Sequence, residues 1–442
     1  MVLGGKLLLL CSLAIGASSA VAAGQRSSWV RIGEGDSLSA RAALDLLASV
    51  PREAVSFGLT EEQRELLYTV SNGTVDLRGI YRVALPDGLQ DDPRLLPGFL
   101  GEVPTPISPI AGVPTEARNP SERGAADPEL EGQWWIESLR VPEAWQVATG
   151  RGVTIADCDS GYYTQERDLS RNLVLDQRRD FSDASRPTVV TDGAFVFHGT
   201  AVAAIMAGVR DGAGTHGIAF DSKIVPLQNY NYDRALDNSD KEEATARCVL
   251  HALRLPSVKV IVVENQTPTG SSETFAGTRE AIRLAIQSGI TVVSAAGNNT
   301  LELATEARYD TGSIIVGALR RNGRRTIFTN WGSRITVSAF GEGIKTLYGP
   351  GGQIEAFGGT TAAAAQVGAA VALMLEANPQ LTPAQVRSIL LATRRFTPDN
   401  QAVGGLIDVY AAVLRASQTR ADWQALDQQN RLRAAVQAIL AE

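Results

Sequence analysis

Between about Asp127 and Ala416, short and nearly continuous apolar runs alternate with longer stretches whose apolar residues return at helical spacing. The runs are VTIADCD (153–159), SKIVPLQ (222–228), VKVIVVE (258–264), ITVVSAA (290–296), SIIVGAL (313–319) and RITVSAF (334–340). Runs that do not alternate with polar residues read as strands covered on both faces. EEATARCVLHALR and TFAGTREAIRLAIQSG between them read as helices. The expected fold is a three-layer α/β sandwich with a mainly parallel sheet, preceded by a smaller N-terminal region. Such sheets carry their sites at the carboxyl ends of the strands.

The flanks differ from this core. Lys6 precedes the apolar run LLLLCSLAIGASSAVAA, which ends in small residues. Residues 1–23 therefore read as a secretory signal, with a single membrane anchor as the alternative. Residues 24–97 mix a helical stretch from Leu38 to Val50 with alternating runs such as YRVAL. Residues 98–127 read as a linker, because Pro104, Pro106, Pro109, Pro114 and Pro120 disfavour regular structure. The core domain is expected over 128–416. Residues 417–442 read as an amphipathic helix with Trp423, Leu426, Leu432, Val436 and Leu440 near one face.

Composition narrows the functional classes. At 44% hydrophobic and 20% charged residues, the chain has the make-up of a folded protein, not a disordered one. With 41 basic and 48 acidic residues it offers no general polyanion surface, so no nucleic-acid partner is expected. No stretch after the signal reaches about 18 uncharged apolar residues, so an exported protein with no membrane contact after cleavage is expected. Of the 3 cysteines, Cys158 and Cys248 lie beyond the signal. Pairing and separate burial both remain open for them.

The strand ends carry an acid, a histidine and an amide. Asp159 closes the first run, His198 sits in FHGTAVAAIMAG, and Asn298 follows ITVVSAAG. Taken singly they are a turn residue, a cap and a turn. Together they supply what acyl transfer needs: a base, a carboxylate to hold it, and an oxyanion donor.

In this order the motifs resemble the subtilisin family of proteases over about 127–416. The approach segment with Trp134 and Glu143 to Trp145, the histidine motif FHGTAVAAIMAG, VVSAAGNN, TIFTNWGSRITVSAFGEGI and FGGTTAAAAQVGAAVALM all take part. ADCD, HGTAV, ENQ and DTGSIIVGA also resemble one subgroup of that family. The resemblance implies an exported endopeptidase acting on peptides or proteins. Asp159 would orient His198, His198 would act as general base and Asn298 would donate to the oxyanion. It assigns Glu264, Ala295, Ala296 and Gly297 to substrate binding. It implies no cofactor and no catalytic metal. A structural calcium and the oligomeric state stay open.

The nucleophile position falls on Thr361, where the family has serine. Threonine keeps the hydroxyl but adds a methyl that restricts χ1. Being internal, it has no N-terminal amine to act as its base. Ala365 and Gln366 also replace the usual proline and histidine. The competing expectation is an inactive, peptide-binding relative in which Thr361 caps the following alanine-rich helix. Gly358 and Gly359 would allow close backbone approach to a ligand. Glu264 would either attract a basic substrate side chain or pair with an arginine. Asp157 shares the strand face of Asp159 by period two, with no role assigned. By position, 24–127 is either a pro-region or a permanent accessory domain.

Overall fold

The six apolar runs form six strands of one sheet, with bounds shifted by a few residues. The computed structural model describes residues 27–31, 52–54, 56–78, 80–84, 99–102 and 132–441, except 184, 186–187, 189, 191–195, 213, 231–237, 268–269, 304–308 and 350–352. The expected signal, the helical stretch Leu38 to Val50 and most of the expected linker lie outside the described residues.

The N-terminal part contains β1 (Ser27–Arg31), β2 (Arg52–Ala54), α1 (Glu61–Val70), β3 (Ile80–Ala84) and β4 (Phe99–Glu102). Its strands form an antiparallel sheet of order β2-β3-β1-β4. Residues 99–102 thus pair as a strand where a linker was expected. The strand stops short of Pro104, whose missing N–H cannot extend a ladder. A capping box starts α1: Thr60 accepts from the Gln63 N–H, and the Gln63 side chain accepts from the Thr60 N–H.

The core domain runs β5 (Thr154–Asp159), β6 (Arg179–Asp180), α2 (Val196–Ala207), β7 (Lys223–Gln228), α3 (Asn238–Arg254) and β8 (Val258–Val263). It continues through β9 (Gln266–Thr267), β10 (Gly270–Ser271), α4 (Ala276–Gln287), β11 (Thr291–Ala295), β12 (Ile314–Leu319) and β13 (Val337–Phe340). It closes with β14 (Ile344–Gly349), β15 (Gln353–Phe357), α5 (Gly359–Ala377), α6 (Pro383–Thr393), α7 (Val409–Gln418) and α8 (Trp423–Ala441). The main sheet has the order β13-β12-β11-β8-β5-β7-β6, and all its pairings are parallel. The chain leaves β5 toward β7 and returns to its other side at β8. That reversal falls between β5 and β8, whose carboxyl ends are the usual ligand position in open α/β sheets.

The two faces of the sheet carry separate apolar clusters, giving the three layers. Ile155, Val260 and Val262 belong to one cluster with α2, α5 and α7. Ala156, Cys158, Ile261 and Val263 belong to the other with α3, α4 and α8. The period-two alternation of β5 therefore sends Asp157 and Asp159 to the α2–α5 face. Helix α5 crosses that face closely: a Cβ on Gly368 would lie 2.6 Å from Val262 Cγ2. By length and composition α5 would suit a membrane, but 89% of its apolar window is buried inside the protein.

The second cluster joins both ends of the chain. Phe57, Leu67, Val75, Leu77 and Ile80 pack with α3, α4 and the sheet, and Val436, Ile439 and Leu440 of α8 complete the cluster. The Gln63 side chain donates to the Ile439 carbonyl at 2.8 Å. Only the second half of α8 is buried. Trp423, expected on the packed face, is 67% exposed, because it precedes the turns of α8 that meet the core, where Gln429 lies against Gly289 and Leu432 against the second cluster.

Candidate active site

Strand β5 ends at Asp159, which is 2% exposed. Its Oδ1 accepts from the Ser160 N–H at 2.5 Å and lies 2.6 Å from His198 Nδ1. Two charge-assisted bonds to one oxygen fix the carboxylate and, through it, the imidazole. His198 stands in the first turn of α2, and Gly199 beside it is dictated by space. A Cβ there would lie 2.3 Å from the Gly161 carbonyl oxygen and 2.9 Å from the Tyr162 ring. Phe357 packs edge-on against the imidazole with ring centroids 5.2 Å apart. Held in this way, His198 keeps Nε2 buried and without a partner.

Asn298 lies just past β11 and is fixed through its oxygen. Oδ1 accepts from the Thr360 N–H at 2.9 Å and from Thr360 Oγ1 at 3.1 Å. The Gly297 N–H donates to the same threonine hydroxyl at 3.0 Å. With Oδ1 engaged, the amide NH2 is the end left to donate to a ligand, as an oxyanion donor must. Further amides stiffen this corner. Gln266 accepts from the Asn298 N–H at 2.5 Å and donates to Asn299 Oδ1 at 2.8 Å. Asn330 donates to the Ala296 carbonyl at 2.7 Å and accepts from the Asn299 and Leu301 N–H groups.

Thr361 is fully buried at the third residue of α5. Gly358 occupies the N-cap position, with no side-chain cap bond, so Thr361 does not cap the helix. Its Oγ1 has no hydrogen-bond partner, and no bond joins it to His198 Nε2. Two backbones meet just before it: Gly359 N donates to the Gly341 carbonyl at 2.9 Å, and a Cβ on Gly358 would lie 2.7 Å from that oxygen. Gly359 itself has φ +91°, a conformation costly for any residue with a Cβ. Gln366 is fully employed within the fold. It accepts from the Phe340 N–H and donates to the Phe340 and Ala362 carbonyls at 2.7 and 2.9 Å. Its place in α5 is a structural tie to the end of β13.

The remaining expected positions sort by burial. Ala295, Ala296 and Gly297 are all buried. The polar backbone of Ala296 and Gly297 is already engaged by Val316, Asn330 and Thr360. The loop that leads into Asn298 is therefore fixed from both sides. Glu264 is 2% exposed, both its oxygens lack partners, and no arginine pairs with it. Burial pushes its carboxyl well above the usual range, and the nearby Asp159 and Asp157 push it further. Asp157 is fully buried and is raised by burial first and by Asp159 second. Among the described residues, no group of three or more His, Cys, Asp or Glu side chains is arranged to hold a metal ion.

The roles of Thr360, Gln266 and Asn330 went unread in the sequence although all three lie in the quoted motifs. A lone amide among apolar residues gives no sign of which backbone it will bridge. Cys158 and Cys248, left open by the sequence, are joined by a disulfide with a Cα separation of 6.3 Å.

Comparisons with known proteins agree on this core. A family profile described as the subtilase family matches residues 150–421. Subtilisin E of Bacillus subtilis (strain 168) is 29% identical over 291 residues, covering 63% of this chain and 70% of its own. Mycosin-1 of Mycolicibacterium smegmatis is 27% identical over 333 residues, covering 63% of this chain and 72% of its own. Among solved structures, a protease from Pseudoalteromonas arctica aligns with a TM-score of 0.56 at 27% identity, over 66% of this chain and 99% of that one. MycP1 from Mycobacterium smegmatis aligns with a TM-score of 0.54 at 26% identity, over 70% of this chain and 90% of that one.

Proposed function

Since this chain belongs to the subtilase family, we propose that it is an exported endopeptidase that hydrolyses peptide bonds through Asp159, His198 and Thr361. The observation that carries the reading is the anchoring of Asn298 by Thr360, the residue next to Thr361. It supports an oxyanion donor tied to the residue that precedes the hydroxyl, while Asp159 holds His198 with Nε2 unbonded. In this mechanism His198 Nε2 takes the Thr361 proton as Oγ1 attacks the scissile carbonyl. The Asn298 amide donates to the oxygen that gains charge, and His198 returns the proton to the leaving amine. Water then releases the acyl group by the same steps. The substrate is a peptide or protein segment lying at the carboxyl ends of β5 and β8.

A fluorophosphonate probe tests the assignment. Labelling of the wild type and not of Thr361→Ala is the expected result. A folded sample in which neither is labelled sinks the catalytic reading. A second reading is favoured by one observation, the missing bond between Thr361 Oγ1 and His198 Nε2. There the site binds peptides without cleaving them. Retention of a peptide library by unlabelled protein would support it.

A further inference from the structure

Asp157, Asp159 and Glu264 lie on one face of the sheet at its switch point, each 2% exposed or less. Cys158 pairs with Val263, so the next step along β5 and β8 brings Asp159 level with Glu264. Neighbouring strands run about 4.8 Å apart and send side chains at one level to the same face. The two oxygens of Asp159 are unequal. Oδ1 serves Ser160 and His198, whereas Oδ2 is buried with no partner. Both Glu264 oxygens are buried and partnerless as well. A buried polar group left unpaired costs about 1–3 kcal/mol. Two buried carboxylates at one level of neighbouring strands repel, which favours the neutral form of one of them. One proton between them removes the repulsion and pairs Asp159 Oδ2 with one Glu264 oxygen.

We infer that Glu264 is a positioning residue: a neutral carboxylic acid whose O–H donates to Asp159 Oδ2, keeping the single negative charge of the cluster on Asp159 between Glu264 and His198. The proposal rests on the endopeptidase reading for its catalytic meaning, not for its structure. The groups facing the cluster are consistent with it. Asp157 lies below on β5, and the Tyr162 hydroxyl above it donates to the Asp157 carbonyl at 2.7 Å. His198 comes from α2, and α5 brings no ionisable side chain between Gly359 and Leu375. On the hairpin flank stand Tyr348, within reach of Phe357, and Glu355. Among these groups His198 alone can become a cation, and Asp159 already engages it. A carboxylate that accepts at Oδ2 is a weaker acceptor at Oδ1. It therefore holds the imidazole N–H less tightly.

Two variants separate this role from simple packing. Glu264→Gln keeps a donor of the same shape, and Glu264→Leu removes it. The first readout is the His198 Nδ1–H proton resonance, which needs no turnover and is assignable among 3 histidines. It should move to lower field in the leucine variant and stay near the wild-type position in the glutamine variant. The second is the infrared band of a protonated carboxyl at neutral pH, which should weaken in Glu264→Gln. In active protein, the acid limb of the kcat/KM profile should move to higher pH in the leucine variant and less so in the glutamine variant. An unmoved resonance in Glu264→Leu overturns the proposal. So does an unchanged infrared band in Glu264→Gln, which would mean that Glu264 is ionised. So does a resonance shift caused by Asp157→Leu and not by Glu264→Leu, which would make Asp157 the donor. If the leucine variant does not fold, the infrared comparison decides. Loss of turnover in every sample, wild type included, would count against the endopeptidase reading alone.

Discussion

On the proposed reading, a single methyl separates Thr361 from the serine that the family resemblance places there. Thr361→Ser relieves the χ1 restriction without changing the hydroxyl chemistry. Peptidase activity should rise on the order of 10- to 1,000-fold, roughly 1.4 to 4 kcal/mol of barrier. Steady-state assays on an unstructured protein measure this, and a wild type equal to the serine variant would refute the steric argument. Because Thr361 is fully buried and caps nothing, losing the methyl should also lower stability by about 1 kcal/mol. Glu264 gives the opposite stability result. Its folded-state carboxyl is raised above the unfolded value. Its contribution is therefore complete below about pH 4.3 and is lost as pH climbs toward the folded value. Glu264→Gln should be more stable than wild type in urea at pH 8 and gain nothing at pH 4. Equal gains at both pH values would reject this account. The sequence made Asp159 and Asn298 legible because each stands at or just past a strand end in a recognisable motif, whereas His198, expected at a strand end too, stands in the first turn of α2 and was legible from its motif alone. It could not show the burial of Glu264, since an acid after an apolar run looks the same whether it faces a cleft or a core.

At the scale of elements, the disulfide ties β5 to α3 one residue before Asp159. It closes a loop of 90 residues between two strand-helix units. Reduction, or replacement of both cysteines by alanine, should cost about 2–5 kcal/mol, read from the urea midpoint. Counting thiols in denatured protein checks the bond and the signal together. None is expected in exported material, one in an uncleaved precursor that keeps Cys11, and two in a processed but reduced chain. The strands were readable as elements because they are continuous apolar runs. Their bounds were less so: RITVSAF yields a strand only from Val337, because Arg334 turns aside to bind buried Glu273 at 2.5 Å. Pairings such as this one, and the disulfide, depend on distances between segments that no local pattern contains.

At the scale of the whole molecule, the core belongs to both ends of the chain. Phe57, Leu67, Val75 and Leu77 are 1% exposed or less. Each such side chain gains about 1.5–3 kcal/mol from burial. A Cβ on Gly277 would come within 2.2 Å of the Phe57 ring, so this segment sits directly on the start of α4. Cleavage in the proline-dense stretch after Pro104 should therefore give two fragments that co-elute on size exclusion and part only in denaturant. An N-terminal fragment lost from native, cleaved protein would restore the simple removable pro-region. The bond from Gln63 to Ile439 spans 376 positions of sequence and has a consequence in time. Synthesis is vectorial, so the segment around Gln63 must wait for the one around Ile439. The helix carrying Leu67 is not fully covered until α8 packs against it, and closure over so long a stretch of chain is a slow step. The back of the sheet is thus the last part to finish, and a chain lacking 420–442 should refold without its slowest phase.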